Sequence, residues 1–106
     1  MFARSASIRL KPNSLAEFAR LIEDKAIPLL RKQKGFQDEI TLFVPGGHEV
    51  IEINLWDRKE DSDAYGRTTC RVIAKALQHI TEGDSEVRTY AVSNSTFHKI
   101  AAPVFG

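Results

Sequence analysis

From Phe2 to Leu10, apolar and polar positions alternate. Phe2, Ala6, Ile8 and Leu10 share one face, and Ala3, Ser5, Ser7 and Arg9 share the other. This predicts a strand with one apolar face, interrupted by Arg4 near its open end. Pro12, Asn13 and Ser14 stop the strand, and Ser14-Leu15-Ala16-Glu17 has the spacing of a capping box. Leu15, Phe18, Ala19, Ile22, Ala26, Leu29 and Leu30 then recur at steps of three and four, the pattern of an amphipathic helix. Pro28 removes a backbone donor inside it and predicts a kink or a fresh turn. Gly35 is placed to end the helix in a left-handed conformation.

A second strand is expected over Phe36 to Val44, with Phe36, Ile40, Leu42 and Val44 on one face. Pro45-Gly46-Gly47 marks a turn. A third strand follows over Val50 to Trp56, antiparallel to the second. Ile51, Ile53 and Leu55 point one way along it, and Val50, Glu52, Asn54 and Trp56 the other. Asp57 stands where it would cap a second helix. The stripe of that helix is Ala64, Tyr65, Val72, Ile73, Ala76, Leu77 and Ile80. Gly66 weakens it by about 1 kcal/mol relative to Ala, and Gly83 closes it. A last strand runs from about Glu86 to Thr96, and Phe97 to Gly106 form a tail with no assigned element.

The order β-α-β-β-α-β predicts an α+β domain, a four-stranded sheet with both helices on one face. The uncovered face is expected to carry Phe43, Val50 and Trp56 beside Ser5, Ser7, Glu39, Thr41, Glu52 and Asn54. Such a mixture suits either a small-molecule cleft or the seam of a homodimer. Within that face Glu52, Asn54 and Trp56 form one row, with Trp56 able to stack on a planar ligand. Tyr65 reads equally as a core residue at the start of a helix.

Composition narrows the function classes. The 106 residues fit one domain, with a core over about 2–96 and a tail over 97–106. A domain this short buries a modest core, so a partner copy is a ready source of stability. The net charge of +1 offers no field for nucleic acid or an acidic membrane surface. The tight basic group Arg31, Lys32 and Lys34 suits a helix C-terminus. The single cysteine, Cys70, points to a reducing compartment and reads as structural. No stretch approaches the ~20 apolar residues of a membrane span, and the cytoplasm is the expected location. His48, His79 and His98 lack metal-ligand spacing, and no phosphate-binding or nucleophile-elbow motif occurs. No metal and no cofactor are therefore expected.

The segment Ile27-Pro28-Leu29-Leu30-Arg31-Lys32-Gln33-Lys34-Gly35-Phe36 resembles the first-helix-to-second-strand junction of the antibiotic biosynthesis monooxygenase-like domains. So does Leu55-Trp56-Asp57, followed by Tyr65 nine residues after the tryptophan. The resemblance implies a ferredoxin-like subunit, a dimeric α+β barrel and a pocket between sheet and helices. It covers several activities. In the haem-degrading branch the working Asn, Trp and His positions fall on Ser7, Tyr65 and Lys75 here, which disfavours haem chemistry. In the cofactor-free oxygenases an Asn, a Trp and a Tyr line the pocket, and Asn54, Trp56 and Tyr65 are the matching residue types. The implied activity is oxidation of a small aromatic or quinol substrate by O₂, with Asn54 bonding a substrate or peroxide oxygen, Trp56 packing on the ring and Tyr65 bonding a phenolate. Two rivals remain. One is a non-catalytic or stress-associated dimer that binds a small hydrophobic molecule. The other is an isomerase or aldehyde-handling enzyme with Glu39 or Glu52 as its base.

Overall fold

A computed structural model of the chain describes residues 1–101; residues 102–106 of the expected tail lie outside the described residues. Strands β1 (Phe2–Leu10), β2 (Phe36–Phe43), β3 (Glu49–Trp56) and β4 (Thr81–Ala91) form one antiparallel sheet in the order β2-β3-β1-β4. The helical segments α1 (Leu15–Leu21), α2 (Ile27–Arg31), α3 (Lys59–Arg67) and α4 (Thr69–Leu77) lie in two runs over one face. This is the ferredoxin-like arrangement that the alternation of strand and helix patterns predicts. None of these helices is long and apolar enough to cross a membrane.

The first helical run changes its bonding pattern ahead of Pro28. Pro28 has no N–H to donate back into the helix, and the turn before it widens into a π segment, Ile22–Ala26, before α2 starts afresh with the proline in its first turn. Widened turns of this kind absorb a missing bond without breaking the helix axis. The run stops at Arg31, short of Gly35. Gln33 Nε2 donates to the Leu29 carbonyl at 3.1 Å and closes the end. Gly35 does adopt the left-handed conformation, with φ of 78°, but in the turn that launches β2.

Four local expectations fail for identifiable reasons. The capping box does not form, because the Ser14 side chain turns to the Pro12 carbonyl and Glu17 pairs with His79 across the fold at 2.5 Å. Asp57 does not cap α3, since its carboxylate accepts from Gln37 Nε2 at 2.7 Å. The last strand is Thr81–Ala91, several residues earlier than its pattern implied. Leu10 pairs with Thr81, which pulls β4 into the sheet directly after the short helical turn Gln78–Ile80. Gly83 falls at a register slip inside the strand.

The fourth failure matters most. A bulge at Gln37 places Phe36 opposite Trp56 but Asp38 opposite Leu55, which adds one residue to β2 and reverses its facing. Phe36 therefore shares a side with Glu39, Thr41 and Phe43. In β3 the buried residues are Val50, Glu52, Asn54 and Trp56. Both rows of β3 are rich enough in apolar groups to be buried, and alternation alone does not choose between them. The helices cover the row that ends in Trp56. The expected open face is thus corrected: Phe43, Val50, Trp56, Glu39, Thr41, Glu52 and Asn54 lie on the helix side. The uncovered face holds Ser5, Ser7, Ile40, Leu42, Ile51, Ile53 and Tyr90.

The core has two clusters. Leu10, Phe18, Ile22, Ala26, Val50, Leu77 and Ile80 pack at one end of the layer, and Leu30, Trp56 and Tyr65 at the other. Gly35 adjoins the second cluster. A Cβ there would stand 2.1 Å from Asp61 Oδ2. Gly35→Ala should therefore cost roughly 1–3 kcal/mol in urea denaturation. Gly46→Ala, also at positive φ but with nothing within 4 Å, should cost about 1 kcal/mol or less. Equal losses in the two variants would mean that the contact with Asp61 contributes nothing.

Candidate functional site

Alternation along β1 and β3 sends Arg4, Ala6, Ile8, Glu52 and Asn54 beneath the helices. There they meet Ile22, Ala26 and Leu30 from the first helical run and Tyr65, Cys70, Ile73 and Leu77 from the second. Between the layers lies a cavity of about 70 Å³ with a mostly apolar wall, room for several water-sized occupants. Ser85 and Val87 line its β4 end.

One side of the cavity is held by Trp56, which is fully buried. Its ring meets Phe36 edge-on at 5.6 Å between centroids and Tyr65 at 5.0 Å. Its indole N–H donates to Asn54 Oδ1 at 2.7 Å. Indole only donates, so the amide oxygen must face it. The NH₂ group of Asn54 is then the end left for an occupant of the cavity. Trp56 does not itself line the cavity; it stands behind Asn54 and Tyr65 and sets their positions. The expected stacking of a ligand ring on Trp56 is corrected accordingly. Burial, together with the neighbouring Cys70 thiol, pushes the Tyr65 hydroxyl above the ordinary phenol value, so it remains a proton-bearing group.

Glu52 supplies the acid chemistry. It is only 8 % exposed, and burial first, then Glu39, push its carboxyl up to about 9. Glu52 is therefore neutral near pH 7. Thr41 Oγ1 lies 2.7 Å from Glu39 Oε2 and also contacts Glu52 Oε1. A hydroxyl has one proton to give. Protonated Glu52 resolves the conflict: its O–H donates to Thr41, and Thr41 donates to Glu39. This string runs from the cavity to a groove of about 730 Å³ between β2 and the first helical run, lined by Leu15, Phe18, Ile27, Glu39, Thr41 and Phe43.

Asn54, Trp56, Tyr65, Glu52, Thr41 and Glu39 are thus brought together, with Phe43 on the wall of the groove. Ser5 and Ser7 are not; they face away with Ile51, Ile53, Glu86, Arg88 and Tyr90. Arg4 and Cys70 line the cavity although the pattern had assigned them no functional part. The signal for Arg4 was its place on the apolar face of β1, where a charge is out of keeping. Among the described residues no group of three or more His, Cys, Asp and Glu side chains is placed to hold a metal ion.

No family model matches the chain, and no curated protein matches it significantly. Solved structures do. SnoaB, a cofactor-independent oxygenase from Streptomyces nogalater, has a TM-score of 0.72 and 15% identity, over 90% of this chain and 95% of its own. NE2512, a protein of unknown function from Nitrosomonas europaea, has a TM-score of 0.75 and 16% identity, over 95% and 94%. A Deinococcus radiodurans protein assigned to the antibiotic biosynthesis monooxygenases has a TM-score of 0.71 and 13% identity, over 100% of both chains. This chain shares their fold. At such identities the likeness is one of backbone architecture, and one architecture hosts many reactions.

The Glu52 carboxyl makes a direct prediction. Its ordinary value is 4.5, and in the folded protein it is held to about 9. Between those values only the unfolded chain releases this proton, so stability falls as pH rises through the window and levels off above it. Glu52→Gln has no proton to lose. It should flatten that part of the stability profile and gain on the parent steadily as pH rises toward 8, as read by denaturant titration. An unchanged slope in the variant would remove Glu52 as its source.

Proposed function

We propose that this chain is a cofactor-independent oxygenase of the antibiotic biosynthesis monooxygenase type, acting as a homodimer on a small aromatic or quinol-type substrate. The Asn54–Trp56 pair carries this reading: a donor fixed by a buried hydrogen bond and presented to a mostly apolar cavity. The fold shared with SnoaB supports it. The substrate supplies the electrons. A ring methylene and dioxygen become a ring carbonyl and water; one oxygen atom stays on carbon, and the other leaves with both methylene hydrogens. The first methylene proton passes to the free carboxyl oxygen of Glu52 as Glu52 hands its own proton to Thr41 and Thr41 hands one to Glu39; the negative charge left on the substrate oxygen is met by the Asn54 NH₂, which donates to it as that charge develops. Tyr65, its proton retained, donates to a phenolic oxygen. Neutral Glu52 supplies the proton that the departing hydroxide needs, and the Thr41–Glu39 string restores it.

Aerobic incubation with an anthrone should consume oxygen and yield the quinone. Asn54→Ala should lower kcat by roughly 10²-fold. Trp56→Phe, which frees the Asn54 amide to turn, should lower kcat by about tenfold with KM little changed. Full turnover in both variants would rule out these roles. The Glu52–Thr41–Glu39 string also favours a second reading, acid–base isomerisation or aldehyde chemistry. Conversion of substrate without oxygen uptake would select it.

The dimer rests on the uncovered face. Ile40, Leu42 and Ile51 are 45%, 47% and 37% exposed, and Ile53 lies in the same field between strands. An apolar patch across a sheet is costly against water, and a second copy laid face to face buries it. The chain should sediment as a dimer, and Ile53→Asp should sediment as a monomer. A monomeric parent chain at micromolar concentration would exclude the arrangement.

A further inference from the structure

Among the described residues Arg4 is the one cation on the cavity wall. It is the direct cross-strand partner of Asn54, so the two side chains stand next to each other on the same face. Its guanidinium lies over the Tyr65 ring, 5.8 Å from the centroid. It also occupies the space beside Gly66, where a Cβ would meet its two terminal nitrogens at 2.7 and 2.9 Å. The guanidinium is therefore held by packing. Among the described residues no carboxylate pairs with it. Asp63 on α3, which senses its charge, pairs with Lys59 at 2.9 Å. Glu52, on the same wall, stays neutral. A fixed guanidinium beside an apolar space, with no anion of its own, is complementary to an anion brought by a ligand.

We infer that the cavity takes a small organic anion, with its apolar body against Leu30 and Ile73 and its carboxylate or enolate oxygen held jointly by Arg4 and the Asn54 NH₂. This rests on the oxygenase reading for the identity of the site and goes beyond it in the class of ligand. Arg4 is the specificity-determining residue, and Gly66 leaves the space that its guanidinium needs.

Calorimetry with benzoate and with benzamide, its neutral counterpart, tests this without turnover. The parent chain should bind benzoate tighter by roughly tenfold or more, and added salt should narrow the gap. Arg4→Gln should abolish the preference, while Arg4→Lys, a point charge without the planar fork, should keep part of it. Gly66→Ala should displace the guanidinium and weaken benzoate binding while leaving benzamide unchanged. Equal affinity for the two ligands, no benzoate binding, or a preference that survives Arg4→Gln would overturn the inference. A benzoate preference in a chain that never consumes oxygen would leave it standing and remove the oxygenase instead. Oxygen consumption with neutral and anionic substrates alike would do the reverse.

Discussion

The indole of Trp56 ties the structure together. It ends β3, contacts Phe36 from β2 and Tyr65 from α3, and is fully buried. Its ring supplies much of the packing of the second core cluster. Its N–H must find an acceptor once buried, and Asn54, two residues back on the same face, is that acceptor. One interaction thus seats the strand against the helices and orients a polar side chain toward a cavity. The site is a by-product of satisfying the core, and a change at Trp56 is felt in both.

Around that anchor the interior holds polar groups in forms that suit a low dielectric. A buried carboxylate would be expensive. Glu52 keeps its proton and spends it on Thr41, which passes a hydrogen bond to Glu39. Arg4 cannot shed its charge. It rests instead on an aromatic face and in the gap left by a glycine. The two groups leave a site that donates more than it accepts, and the string through Thr41 and Glu39 leads from it to the neighbouring groove. Acid and donor lie on β3, the cation on β1 and the Thr41–Glu39 string on β2, and they meet because the sheet order puts β1 beside β3 and β3 beside β2.

Much of this is legible in the sequence. The alternation in Phe2–Leu10 set the first strand to the residue, and Pro28 announced a break that appears as the π segment. The candidate residues Asn54, Trp56 and Tyr65 do converge. They do so on the side of the sheet opposite to the one that the sequence pattern predicts. In β3 the row Ile51, Ile53 and Leu55 is the more hydrophobic, and it reads as the core row if the subunit is taken alone. Caps failed for a related reason: Ser14, Glu17 and Asp57 all found other partners that local spacing cannot reveal.

The order of elements and the chemical character of each strand face follow from the sequence by itself, since side-chain period and turn residues act locally. Which face of β3 meets the helices was decided only in three dimensions. It depends on one extra residue at Gln37, which reverses β2, and on the helix layer closing over the row that ends in the largest side chain. The same choice turned Glu52 and Asn54 from expected surface groups into cavity walls. It also placed Arg4 with them, through a cross-strand register that no spacing within one strand encodes.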